Sequence, residues 1–252
     1  MEDTWPTLKN PPITEALLEV RFSLSDKVGL KQLEAFAQAE ESAYPGKQPL
    51  YEQSVHAVFG KEDHSARSFV HPIGFRLQNS QGNRICQVRV DRISVSFLPP
   101  YDSWPALREA TKEQYGRYRA MVPQDRIVRV GMRYINSFKL PDRDDIDLEQ
   151  FLNTMPRLPK HVQLSEAVSG FETVIVMPLL DVGCTAIVRQ KLVRSEDKKV
   201  LGPSLVLDID VYHNALEGLE ESDMWKKFDQ MRNKRNAIFY GSVTEQALEP
   251  YK

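Results

Sequence analysis

From Ile13 to Leu24 apolar and polar residues alternate, with Ala16, Leu18, Val20, Phe22 and Leu24 set against Glu15, Glu19 and Arg21. A period of two sends successive side chains to opposite faces, so this stretch predicts a half-buried strand. Between Lys31 and Tyr44 the period changes, and Leu33, Phe36 and Ala37 fall on one helical stripe that Pro45-Gly46 stops. Strands are expected at Leu50–Phe59 and Ile73–Gln78, followed by a turn at Gln81-Gly82-Asn83. A long strand then runs from Arg84 to Leu98. Its apolar set moves from even positions (Cys86, Val88, Val90) to odd ones (Ile93, Val95, Phe97), which demands a β-bulge or a sharp bend at Asp91-Arg92. Pro99-Pro100 ends the strand. Ser103 suits an N-cap, and Trp104, Leu107, Ala110, Tyr115, Tyr118 and Met121 mark one face of a long helix.

The second half follows the same order. Ile127–Leu140 sets Val128, Val130, Met132 and Tyr134 against Arg129 and Arg133, and Asp147 caps a short helix, Leu148–Asn153. Phe171–Leu180, Thr185–Val193 and Leu205–His213 read as strands, the last two joined by a charged turn, Arg194–Lys199. Ser222 or Asp223 caps a long helix whose face carries Trp225, Phe228, Met231, Arg235 and Ile238, with Gly241 at its C′ position. Val20-Arg21-Phe22 echoes Met132-Arg133-Tyr134 at an offset of 112, and Trp104 and Trp225 open the closing helices at an offset of 121. The expected fold class is therefore α+β: a duplicated β-α-β-β-β-α unit forming a curved antiparallel sheet packed on two long helices. The halves, 1–124 and 125–252, would make one compact pseudo-twofold domain, by analogy with helix-grip and TATA-binding-protein-like architectures. A single irregular α+β domain is the alternative.

Composition narrows the class without naming a function. A chain of 252 residues with 41% hydrophobic and 27% charged residues can build a normal core. A formal net charge of −2 supplies no global basic field, so nucleic acid is not an expected partner. Cys86 and Cys184, each inside an apolar stretch, read as small buried hydrophobes in a reducing compartment. Met1–Pro6 lacks the basic and apolar regions of a signal peptide. The most apolar window, Thr173–Leu180, falls far short of the ~20 residues a membrane helix needs. A cytoplasmic protein with no membrane partner is expected.

Several segments together, PPITEALLEVRF, VDRISVSFLPPYDSW, VGMRYINSFKLP, LDIDVY and NKRNAIFYGSVTEQ, resemble a sporadically distributed prokaryotic protein family of unknown function. The likeness spans nearly the whole chain and keeps the family's order. It implies a fold and a prokaryotic cytosol; the family's sporadic occurrence suggests an accessory or defence-related role.

The chemistry-bearing pattern is a set of charges placed inside strands, opposite the apolar residues. Glu15, Glu19 and Arg21 occupy the first strand, Arg129 and Arg133 the first strand of the second half, and Asp208 with Asp210 the last. Arg89 and Asp91 belong to the bulged strand, and Arg189 and Lys191 to another. An i, i+2 pair points both side chains to one face, so Asp208 and Asp210 would sit roughly 6–7 Å apart. Three readings follow: a solvated face laced with cross-strand ion pairs, a groove that binds an anionic small molecule or a partner protein, and a catalytic site. The catalytic version resembles tunnel-shaped triphosphate hydrolases acting on a phosphorylated small molecule. It uses Glu15, Glu19, Asp208 and Asp210 as metal ligands and Arg21, Arg129 and Arg133 as phosphate clamps. Glu15 and Glu19 are four residues apart rather than two, which departs from that pattern.

No P-loop, G-x-G-x-x-G, G-x-S-x-G or H-E-x-x-H occurs, so no cofactor is expected. His56, His64, His71, His161 and His213 lack metal-ligand spacing; His64 and His71 flank a polar loop, and His213 closes a strand. Asp142–Asp147 is acidic but lacks the glycine of a calcium loop, and capping accounts for Asp147. Lys226, Lys227, Arg232, Lys234 and Arg235 make the last helix basic, which its dipole explains. The preferred expectation is a non-enzymatic binding or interaction protein using the polar face or groove of the sheet. The metal-dependent enzyme is its rival, and self-association into a homodimer a third reading.

Overall fold

The computed structural model describes residues 5–23, 28–59, 64–142, 146–154, 170–194 and 202–252. Its elements, in chain order, are β1 (Ile13–Phe22), α1 (Leu30–Ala39), β2 (Gly46–Phe59), β3 (His64–Gln78), β4 (Arg84–Arg89), β5 (Arg92–Phe97) and α2 (Trp104–Met121). Then follow β6 (Ile127–Lys139), β7 (Glu172–Leu179), β8 (Cys184–Val193), β9 (Ser204–Leu219), α3 (Glu221–Ser242) and α4 (Glu245–Leu248). All nine strands form one sheet in the order β2-β3-β4-β5-β1-β6-β9-β8-β7. Every pairing is antiparallel.

One face of the sheet is apolar. Ala16, Leu18 and Val20 of β1, Val130 and Met132 of β6, and Leu207, Ile209 and Val211 of β9 are completely buried. They meet Leu33 and Phe36 of α1, Leu107 and Tyr118 of α2, and Met224, Phe228 and Met231 of α3 in a single core cluster. Three helices therefore cover this face: α1 on β3 and α2, α2 on β5 and β1, α3 on β9 and β6.

This architecture corrects the expected fold class. The parity change at Asp91-Arg92 is not a bulge within one strand but a tight hairpin, in which Arg89 pairs with Arg92, and Val88 with Ile93. A two-residue turn and a bulge both swap which positions face inward, so the alternation alone could not separate them. Among the described residues the first half thus holds five strands and the second four. The expected short helix at Leu148–Asn153 is only a 3₁₀ turn, Leu148–Gln150. The two halves do not share one β-α-β-β-β-α unit, and the sheet is not packed on two long helices alone. The helix-grip and TATA-binding-protein analogy, which rested on that count, falls with it.

Other boundaries move for local reasons. The α1 helix stops at Glu40, whose carbonyl accepts from both Ala43 and Tyr44 in a following turn. The hairpin of β2 and β3 is far longer than expected, so His64 and His71 lie in a strand rather than beside a loop. Pro49 is tolerated because β2 is an edge strand. Ser103 does cap α2, accepting from the Ala106 amide at 3.3 Å. By contrast α3 starts at Glu221 after Glu220, neither Ser222 nor Asp223 is its cap, and Gly241 lies inside it. Leu24, His161, residues 143–145 and most of the Arg194–Lys199 turn lie outside the described residues.

Candidate binding surface on the polar face of the sheet

The opposite face of the sheet carries the odd-numbered side chains of β1 and everything in register with them. Arg21 faces Arg92 of β5 on one side and Arg129 of β6 on the other, and Arg92 faces Arg89 of β4. Four arginines therefore stand side by side on four neighbouring strands, a row of about 14 Å at ~4.8 Å per strand. The carboxylate of Glu19 holds three of them. Its Oε1 accepts from Arg21 Nε at 2.6 Å and from Arg129 Nη1 at 2.7 Å, and Oε2 lies 3.7 Å from Arg92 Nη1. Arg92 also grips Asp91 with two bonds of 2.9 Å. The Arg129 guanidinium lies 4.6 Å from the centre of the Tyr212 ring.

A second cluster sits further along β6 and β9. Arg133 donates to both oxygens of Asp208 at 2.8 Å, the bidentate geometry that suits a guanidinium and a carboxylate. Arg189 Nη1 adds a contact of 3.5 Å to the same carboxylate. Asp210 joins the clusters, 4.0 Å from Arg129 Nη2. Small residues floor this face: Ser94 and Ser96 are buried beneath the long side chains.

Of the residues expected to form a site, Glu19, Arg21 and Arg129 converge directly, and Arg133 with Asp208 makes a neighbouring pair bridged through Asp210. Glu15, opposite Ile135, makes no ion pair or hydrogen bond among the described residues. The half-buried Arg89 guanidinium also makes none, although the Arg89 carbonyl accepts from the Tyr118 hydroxyl at 2.8 Å. It lines a depression of about 110 Å³ with Leu17, Glu19, Gln87, Arg92 and Ser94. Arg92 was missed as a site residue because a bulge reading gives its side chain no defined neighbour; the hairpin sets it beside Arg21. Tyr212 was missed as well, although its i+2 spacing from Asp210 placed it on the same face.

Charge states follow from this packing. Burial lowers Arg129, helped by the like charge of Arg21, and Glu19 only partly offsets it, so its net shift is downward. Arg133 is raised, first by its hydrogen bonds to Asp208. Burial opposes the same rise in Arg92, but its bonds to Asp91 outweigh it. Asp210 is raised by burial despite Arg129 and Arg133 nearby.

The four carboxylates proposed as metal ligands do not gather. Glu19 is shared among three guanidiniums and Asp208 between two. Among the described residues no three His, Cys, Asp or Glu side chains are grouped to hold a metal ion. His213 instead donates from Nδ1 to the Gly183 carbonyl at 2.6 Å, a structural bond. Asp147 accepts from the Glu149 amide at 3.1 Å, as a cap does. Both cysteines are buried and free, and burial pushes the Cys86 thiol up, which disfavours its thiolate. No helix is long and apolar enough to cross a membrane, among the described residues. No family model and no curated protein matches the sequence, so no relative contributes to the functional reading.

Proposed function

We propose that the protein is a non-enzymatic binding protein that docks the polar face of its sheet onto a partner protein through complementary charges. The observation that carries this reading is the arginine row: Arg92, Arg21 and Arg129 share the carboxylates of Glu19, Asp91 and Asp210, and the neighbouring Arg89 guanidinium has no carboxylate among the described residues. Guanidiniums pinned in place and short of carboxylates lose little entropy when a partner's acidic groups arrive, and are partly desolvated already. The carboxylates interspersed among them disfavour a uniformly anionic nucleic-acid backbone; a protein surface carrying both signs matches the lattice. An accessory or defence-related setting fits this reading and rests on the family resemblance alone.

Affinity purification from the native host tests it, with the wild-type protein beside Arg89→Glu. A stoichiometric companion that is released by salt and lost in Arg89→Glu is the expected result. No companion, or one that both proteins retain equally, would sink the proposal. Light scattering identifies the case in which the companion is a second copy of the chain.

A further inference from the structure

On the other side of the sheet, a half-open pocket of about 220 Å³ lies between the N-terminal segment, the start of α2, β6 and the end of α3. We infer that it binds a small organic monocarboxylate with a flat aromatic body and a hydrogen-bond donor. This site is separate from the polar face and does not depend on its role.

Arg235 is the central observation. It is only 8% exposed, lines the cavity, and makes no hydrogen bond or ion pair among the described residues. Its Nε is buried with nothing to accept its proton. Buried arginines are ordinarily matched by a carboxylate, because an uncompensated charge is costly away from water. Among the described residues its compensation is the Tyr134 ring, whose centre lies 3.7 Å from the guanidinium carbon. Stacking occupies a face of the guanidinium and leaves its hydrogen-bonding edges for a carboxylate, held bidentately.

The second observation is Asn136, completely buried in the cavity wall and two residues along β6 from Tyr134, on the same face. Its Nδ2 donates to the Leu207 carbonyl at 3.1 Å, while Oδ1 has no donor among the described residues. A buried acceptor of this kind is rarely left empty, so the ligand is expected to bring an O–H or N–H. Aromatic surface completes the space: Trp104 and Phe239 line it, and Trp5 stacks on Tyr240 with centroids 5.2 Å apart and planes 2° from parallel.

Charge selects a monoanion. Arg235 and the amino-terminal end of the 18-residue α2 favour negative charge, whereas Asp102 in the lining opposes a second one. Burial drives the Tyr101 phenol well above its usual range, with the Tyr134 hydroxyl 3.1 Å away, so the Tyr101 ring adds no negative charge. A phosphate dianion would meet Asp102; a carboxylate on a planar ring satisfies Arg235, Asn136 and the aromatic walls together.

Trp5 and Trp104 supply the readout, as binding should quench their fluorescence. The probes are 4-hydroxybenzoate and indole-3-carboxylate, with 4-hydroxybenzamide, benzoate and inorganic phosphate as controls. Both carboxylates should saturate and raise the melting temperature, and the amide should bind about tenfold more weakly or worse. Benzoate, lacking the donor, should fall behind 4-hydroxybenzoate, and Asn136→Ala should erase that difference. Phosphate should not compete. Arg235→Gln should abolish the preference for acid over amide. Arg235→Lys, which keeps the charge but not the fork, should weaken it even if the glutamine variant does not fold. No saturable signal from either carboxylate, equal binding of acid and amide, phosphate binding as tightly, or Arg235→Lys binding like wild type would each overturn the proposal.

Discussion

At Asp210 two physical effects oppose each other, and burial prevails over the pull of Arg129 and Arg133, so its carboxyl titrates above the ordinary range. The native state then holds a proton that the unfolded chain releases near pH ~3.9. Its contribution to stability is complete below that pH and is lost as pH rises through the folded pKa. Asp210→Asn removes this penalty. Melting temperatures followed from pH 3 upward should show the variant equal to or above wild type at neutral pH, with less decline on leaving the acid range. A variant that melts well below wild type at neutral pH would show that Arg129 needs the charge more than burial penalises it. Asp208 is held bidentately by Arg133, and its side chain is 8% exposed. Asp208→Ala is expected to lower the unfolding free energy by about 1–3 kcal/mol, measured by urea denaturation.

At the scale of elements, Gly74 controls how closely β3 approaches β4. A Cβ there would lie 2.0 Å from the Val88 carbonyl oxygen, which is backbone and cannot rotate away. Gly74→Ala must therefore push the strands apart next to the register shift between Leu50 and Tyr51 in β2. A loss of about 1–3 kcal/mol is expected, together with faster amide exchange at Phe75 and Val88. A change under ~0.5 kcal/mol, the range of an inert surface substitution, would mean that the strands adjust freely. The join between α1 and α2 depends on Glu40, 2% exposed, which accepts from Arg117 Nη1 at 2.9 Å and Gln114 Nε2 at 3.0 Å. Leu33, Phe36 and Ala37 revealed that α1 has an apolar stripe. They carried no information that its end is anchored 77 residues away at Arg117.

For the whole molecule, the helix-covered core also holds phenols. Burial drives Tyr44, Tyr101 and Tyr118 well above the usual phenol range, and pushes Tyr115 up to about 12, with Glu221 beside it. Each raised phenol contributes stability that is fully present below pH ~10 and lost as pH rises through its folded pKa. For Tyr115 that window runs from about 10 to about 12. An alkaline titration at 295 nm should show these rings ionising late, together with loss of the far-ultraviolet dichroism. Ionisation of all nine tyrosines with the dichroism intact would contradict this packing.

Local periodicity by itself determined which residues of β1 and β9 turn inward, that Val130, Met132 and Tyr134 of β6 do so, that Ser103 opens a helix, and that the strand-borne charges share the face away from the core; it placed Val128 inward, where the register shift next to Ile127 buries Ile127 instead. These properties depend on backbone geometry over two to four residues, which a single chain displays directly. Strand count and charge pairing were decided only by the tertiary structure. The parity switch at Asp91-Arg92 is common to a bulge and a hairpin, and what separates them is the pairing of Arg89 with Arg92. Arg235 was visible as a cation on an otherwise apolar helical stripe. That it has no carboxylate partner among the described residues and lies over Tyr134, 101 positions earlier in the chain, follows from contacts between distant segments. Periodicity says where a side chain points, and only the packed fold says what it meets there.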